Sequence, residues 1–241
     1  NQQSQLLIIG QNLQLSASVL PSNATESGVN WISAKPNIAT VNASGMVTAI
    51  SVGETVITAE AKDGSGVKGT CTIKVIPITY QITYMLNGGK NNTGNPASYQ
   101  NTLLLKDPVK SKHLFSGWYS DSNLKNKVSS VSGRNITVFA KWKKVKVARP
   151  KIRSLKNNKS KRAKIKIGKI KGVKGYKIEI ARNAKFKKGK KVYNTKNSTF
   201  NIKKLKKGTK YFVRVKAYKL DSEGKKVFSK NSKVKTLIVK K

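Results

Sequence analysis

Thr209-Lys210-Tyr211-Phe212-Val213-Arg214-Val215-Lys216-Ala217 decides the fold class and raises the functional question together. Tyr211, Val213, Val215 and Ala217 recur at every second position, and Lys210, Arg214 and Lys216 fall between them. A period of two puts one set on each face of a strand, so one face is apolar and the other cationic. The same alternation returns at Ile165 and Ile167, at Tyr176, Ile178 and Ile180, at Val192, at Phe200 and Ile202, and at Val227. These positions are expected to face a core.

Working outward, alternation dominates all 241 residues, and no helical stripe of four turns stands out. Leu13, Leu15, Ala17 and Val19 alternate until Pro21, predicting a strand, and short strands then recur between turn signals such as Ala43-Ser44-Gly45 and Ser51-Val52-Gly53. The expected class is all-β. No apolar run reaches the roughly 18 residues that span a bilayer as a helix. The chain starts at Asn1 without an initiator Met or a cleavable apolar segment, so it reads as a piece of a longer secreted protein.

Charge is distributed in steps. The chain carries 50 Lys+Arg against 9 Asp+Glu, a net charge of +41. Up to Pro77, Lys35, Lys62, Lys68 and Lys74 balance Glu26, Glu54, Glu60 and Asp63; Ile78 to Lys143 carries +7; and Lys144 onward carries +34, with only Glu179, Asp221 and Glu223 as acids. Modules joined end to end, the last one facing something anionic, would give this pattern.

Chemistry is constrained by missing residue types. Cys71 is the only cysteine and His113 the only histidine, which excludes an intrachain disulfide, an ordinary zinc site and a Ser-His-Asp constellation within the chain. Cys71, alternating with Thr70 and Thr72, reads as a buried free thiol in a strand. Glu60 and Asp63 flank Gly64-Ser65-Gly66, a turn. No catalytic residue, metal or cofactor is assigned. Asn-x-Ser/Thr triplets at Asn23, Asn42, Asn91, Asn135, Asn158 and Asn197 read as accidents of composition.

Three resemblances follow from longer motifs. Leu15-x-Ala17-x-Val19-x-Pro21, Asn23-Ala24-Thr25, Val29-x-Trp31-x-Ser33, Ile38-Ala39-Thr40-Val41, Gly45-x-Val47-Thr48-Ala49, Gly53 and Ile57-Thr58-Ala59 resemble the group 2 bacterial immunoglobulin-like domain. This implies a sandwich with Trp31 between its sheets and with Gly45 and Gly53 at backbone angles other residues resist. Tyr80-x-Ile82-x-Tyr84-Met85-Leu86, the turn Asn87-Gly88-Gly89, Asn95-Pro96-x-x-Tyr99, Leu103-x-x-x-x-Pro108, Phe115-x-Gly117-Trp118-Tyr119 and Val138-Phe139-Ala140-Lys141-Trp142 resemble the Listeria–Bacteroides repeat. That implies a small β-grasp-like module, with an α+β variant open for this segment. His113 and Leu114 stand where that family usually has glycine and an aromatic.

Leu205-Lys206-Lys207-Gly208-Thr209-Lys210-Tyr211 followed by alternating apolar residues resembles the fibronectin type III pattern, in which the tyrosine bonds back to the preceding corner. The tryptophan usual on that family's second strand, expected near Gly168, is absent. The expected modules are residues 1–77, 78–145 and 146–241.

Solvation alone asks for polarity but not for a single sign, and +34 on about a hundred residues sets like charges within a Debye length of about 8 Å. A polyanionic partner is the expectation. Of 37 basic residues after Lys143, only Arg149, Arg153, Arg162, Arg182 and Arg214 are arginines. Lysine lacks the planar fork that reads guanine edges, so sequence-specific nucleic-acid recognition is not expected.

The resemblances imply a non-catalytic, extracellular stalk or attachment region at a bacterial cell surface, acting as a monomer. Its expected partner is anionic cell-wall polymer or an acidic glycan. The candidate contacts are Lys187, Lys188, Lys190 and Lys191 with Lys203, Lys204, Lys206 and Lys207, each group in a turn beside a strand. Two alternatives stand beside it. One is a carbohydrate-binding module for polysaccharide, with Trp118, Tyr119 or Trp142 stacking on sugar. The other is a host-cell adhesin.

Overall fold

The structure, a computed structural model, describes residues 3–159 and 161–240; the Asn158 side chain, part of one Asn-x-Ser/Thr triplet, lies outside the described residues. Strands and turns account for all regular structure among the described residues. The all-β expectation holds, and the α+β variant for residues 78–145 is corrected, since that segment contains strands and no helix. Two compact units emerge: residues 1–81 with 98–102 and 132–135, and residues 82–97, 103–131 and 136–241.

In the first unit, β1 (Ser4–Ile8), β2 (Asn12–Gln14), β3 (Val29–Ser33), β4 (Ala39–Val41), β5 (Met46–Ala49), β6 (Gly53–Ala61) and β7 (Lys68–Ile76) form two sheets, ordered β1-β7-β6-β3 and β2-β5-β4. Between them lies a core of Leu7, Leu15, Ala39, Val47, Ala49, Ile57, Cys71, Ile73 and Val75, with Trp31, Ile38 and Val41 packed against it. Gly45 has φ +84°, and a Cβ there would lie 2.6 Å from the Leu15 carbonyl and 2.9 Å from the Trp31 ring, so glycine is required. Gly53, at φ +151°, likewise takes the angle expected of it.

The strand expected over Leu13–Val19 stops at Gln14. Its partner β5 begins at Met46, opposite Gln14, and the Asn42–Gly45 turn carries the neighbouring chain away once Gly45 has accepted the Leu15 amide at 2.9 Å. Residues 16–19 are left without a rung on that side, and Ala17 is exposed. The first unit also holds the start of β8 (Tyr80–Met85) and all of β9 (Ser98–Tyr99), paired through Tyr80 with Tyr99 and Gln81 with Ser98. The Tyr99 hydroxyl donates to Arg134 O at 2.6 Å.

In the second unit follow β10 (Leu103–Leu104), β11 (His113–Tyr119), β12 (Lys127–Val128), β13 (Ser130–Val131) and β14 (Ile136–Lys144). β11 pairs with both β12 and β14, β14 runs parallel to β8, and β10 pairs with β13. Asn87 and Gly88 turn at φ +49° and +78°, as their sequence required. The β11–β14 register passes from Phe115 opposite Trp142 to Gly117 opposite Lys141, leaving Ser116 unmatched. One extra residue reverses the alternation, so Phe115 and Trp118 share a face despite a spacing of three.

β15 (Ile152–Lys159), β16 (Arg162–Ile167), β17 (Gly175–Ala181), β18 (Lys191–Thr195), β19 (Thr199–Ile202), β20 (Lys210–Leu220), β21 (Lys226–Phe228) and β22 (Lys235–Ile238) complete the chain. One sheet is β15-β16-β19; the other is β18-β17-β20, with β21 and β22 both pairing with β20. Between β21 and β22, Ser229 and Ser232 accept the amides of Ala217 and Val215 on their hydroxyls, both at 3.0 Å. These side chains replace missing ladder rungs and explain two buried serines.

Ile165, Ile167, Tyr176, Ile178, Ile180, Ile202, Tyr211, Val213, Val215 and Ala217 form the core, as their alternation predicted, with Phe200 partly buried against it. Val192 is corrected: it points outward, and Tyr193 beside it packs inward. Tyr176 is buried, and its hydroxyl lies 3.5 Å from Gly168 O. Also within this unit, Ser222 Oγ accepts the Lys110 amide at 2.8 Å and donates to Lys110 O at 3.0 Å, while Asp221 Oδ2 accepts the Lys112 amide at 2.8 Å. The Ser222 amide in turn donates to His113 O at 2.8 Å.

A candidate polyanion-binding surface

The two lysine groups sit in turns that sequence position alone keeps apart. Residues 182–190 join β17 to β18, and Asn183 Oδ1 accepts the amides of both Lys187 and Lys188 at 3.0 Å. Phe186 is buried at the centre of this turn, with the Arg214 guanidinium 4.1 Å above its ring. Residues 203–209 join β19 to β20, where Leu205 is buried and the Lys206 amide donates to Tyr211 Oη at 3.1 Å. That last bond is the corner expected of Tyr211.

Folding brings the turns together. Lys191 Nζ donates to Lys204 O at 3.2 Å, joining one group to the other. Lys187, Lys188, Lys203, Lys204, Lys206 and Lys207 are exposed, and among the described residues none has a carboxylate partner. Lys190 differs: its ammonium lies 3.2 Å from Glu179 Oε1, so it is paired within the module.

Glu179 is a hub. Its Oε2 accepts from Arg214 Nε at 2.6 Å, and Lys177 Nζ lies 3.9 Å from its other oxygen. Burial pushes the carboxyl up, but the hydrogen bonds and charges of Arg214 and Lys190 outweigh it and hold the group below its ordinary 4.5. Asp221 is likewise pushed up by burial and then held below its ordinary value by the amides of Lys112, Lys225 and Glu223. Glu223 pairs with Lys225 at 2.8 Å. All three acids after Lys144 are therefore committed within the protein.

A further group escaped the sequence reading. Arg162, Lys164 and Lys166 alternate with buried Ala163, Ile165 and Ile167 on β16, and Lys156 on β15 stands directly opposite Lys164. Alternation announced an outward cationic row, but only the sheet register shows which rows adjoin.

The sugar-stacking candidates fare differently. Trp118 is 2% exposed, donates from Nε1 to Lys106 O at 3.0 Å and is met edge-on by Tyr84 and Phe115. It offers no face to a sugar. Tyr119 is 9% exposed, with Lys141 Nζ 4.8 Å from its ring centre, so Trp118 and Tyr119, adjacent on β11, are both covered. Trp142 is half-buried, its Nε1 donating to Leu86 O at 2.8 Å and its ring edge-on to Phe115. Trp31 packs on the core of the first unit and borders a cleft of about 770 Å³ that Leu15, Val29, Ile57 and Cys71 also line. Burial pushes the Cys71 thiol up. Among the described residues, no group of three or more His, Cys, Asp or Glu could hold a metal ion.

Three family models match the chain in tandem. They are the bacterial Ig-like domain (group 2) at residues 1–73, the Listeria-Bacteroides repeat domain at residues 80–141, and the interferon-alpha/beta receptor fibronectin type III domain at residues 135–236. An uncharacterized protein of Clostridium acetobutylicum is 40% identical over 86 residues, which is 36% of this chain and 22% of that protein. The tail tube protein pb6 of Escherichia phage T5 is 45% identical over 69 residues, 28% of this chain and 14% of pb6. The chain thus spans less than a quarter of the curated relatives it matches. A crystal structure of titin domains aligns over 99% of this chain and 96% of its own at 13% identity, with a TM-score of 0.39. The Ig-like and repeat matches point to extracellular or surface proteins, and no helix among the described residues is long and apolar enough to cross a membrane.

Proposed function

We propose that this chain is the attachment region of a larger bacterial surface protein, with Ig-like and repeat modules serving as spacers and the lysine-rich module binding an anionic polymer of the cell envelope. The tandem Ig-like and fibronectin-like modules fit a stalk, and such modules are typically non-catalytic. One observation carries the choice of partner. Residues from Lys144 onward hold a charge of +34, and their three acids are used internally, so the surplus has no counterion within the module.

Many weak charge contacts would act together. Each exposed lysine contributes little, but a chain of anions engages several at once, and multivalency turns weak contacts into firm attachment. The test is binding of the whole chain to cell-wall sacculi, with and without their anionic polymer, as salt rises. Raising salt from about 0.1 M to about 1 M shortens the Debye length from about 10 Å to about 3 Å and should release the protein. Retention in molar salt, or on stripped wall, would overturn the reading.

A further inference from the structure

Resting on that reading, we propose that the principal contact is the outer face of the β15-β16-β19 sheet, and that its occupant is a polyol phosphate chain, a phosphodiester polymer without bases. Exposed Arg162, Lys164 and Lys166 project from alternate positions of β16, roughly 7 Å apart along the strand. Lys156 on β15 lies directly across from Lys164, and Asn201 and Thr199 on β19 lie across from Lys164 and Lys166. Lys203, also exposed, directly follows β19. None of the three acids of this module lies on these strands: Glu179 is on β17, and Asp221 and Glu223 follow β20.

This arrangement is costly without a partner. Like charges directly opposite on neighbouring strands repel, whereas Ser154, Thr199 and Asn201 show that uncharged residues serve the same sheet. A chain with phosphates at intervals comparable to the lysine spacing would relieve that repulsion along the row.

The identity of the anion follows from what else the face carries. Its outward positions on β16 and β19 are Arg, Lys, Thr and Asn, and the one ring of the three strands, Phe200, pairs opposite Ile165 and packs on the core. Single-stranded nucleic acid is held by stacking its bases on aromatic rings, and sugars too favour aromatic platforms. A phosphodiester polyol needs neither. The remaining rings of the module belong to the opposite sheet and its turns, where Arg214 and Lys177 cover Phe186 and Phe228.

The experiment uses the whole chain and two fourfold variants of equal net charge. One carries Lys156→Gln, Arg162→Gln, Lys164→Gln and Lys166→Gln; the other carries Lys187→Gln, Lys188→Gln, Lys206→Gln and Lys207→Gln. The probe is poly(glycerol phosphate), with double-stranded DNA and heparin as parallel arms. The sheet variant should lose about tenfold or more in affinity and lower the slope of log K against log salt by about three, while the turn variant loses no more than about threefold. Replacing Lys156, Lys164 and Lys166 by Arg should retain binding.

Melting of the sheet variant at or above the wild-type temperature shows that the loss is not one of folding. Equal losses in the two variants would overturn the sheet face and leave envelope attachment standing. Failure of the wild-type chain to bind the polymer at all would overturn both. Tighter binding of DNA or heparin at equal anion concentration would overturn the polyol phosphate.

Discussion

Glu179→Gln is the sharpest probe of how the cationic module tolerates its own charge. The substitution keeps the shape but removes the carboxylate that meets Arg214 at 2.6 Å, Lys190 at 3.2 Å and Lys177 at 3.9 Å. A hydrogen bond to a charged group contributes about 1.5–3 kcal/mol. The Arg214 and Lys190 side chains remain 27% and 39% exposed, so water partly compensates them, and the ion-pair share is discounted to under about 1 kcal/mol. The net loss comes to about 2 kcal/mol. A unit of roughly 150 residues loses about 2–4 °C per kcal/mol, so the melting temperature should fall by about 4–8 °C at neutral pH.

Acid supplies a second reading of the same group. The carboxyl is held below its ordinary 4.5 in the folded protein, so the unfolded chain binds more protons over that interval. Its stabilisation is complete above about pH 5 and is lost as pH falls through the depressed folded value. Wild type and variant should therefore differ most at neutral pH and converge in acid. Scanning calorimetry from about pH 7 to pH 2.5 measures both. A shift below about 2 °C at pH 7, or a gap that does not close in acid, would refute the reasoning.

Further outcomes are expected elsewhere. Gly45→Ala forces a Cβ toward the Leu15 carbonyl and Trp31 at φ +84°, and should cost the first unit about 2–4 kcal/mol in urea unfolding. Tyr211→Phe removes the acceptor for the Lys206 amide and should cost about 1 kcal/mol, read by the same method. Ser222→Ala should speed hydrogen exchange at the Lys110 amide about fivefold, because that amide then lacks its acceptor. Trp118 should show no change in emission when neutral polysaccharide is added, since its ring is enclosed.

Legibility in the sequence varied with how local the cause was. The apolar positions of β16, β17 and β20, the Asn87-Gly88 turn and the Tyr211 corner were readable because each depends on period, backbone angle or a contact five residues away. Leu13–Val19 misled, because alternation states that a strand is possible, whereas a strand also needs a partner, and β5 begins only at Met46, opposite Gln14. In Phe115-Ser116-Gly117-Trp118-Tyr119 spacing does not give the faces: the unmatched Ser116 shifts them, and the extent of covering decides that Trp118 and Tyr119 are both enclosed.

The lysine clusters divide the same way. Their existence, the excess of lysine over arginine and the stepwise charge belong to the sequence by itself, since composition and spacing need no folding to be read. Only the tertiary structure decided that Lys191 reaches Lys204, that Lys190 pairs with Glu179, that Asp221 and Ser222 hold the backbone of residues 110–113, and that Lys156 faces Lys164. The physical reason is common to all four. Charge acts over a few ångströms, and which charges fall within that reach is set by strand register and turn geometry between residues distant in the chain.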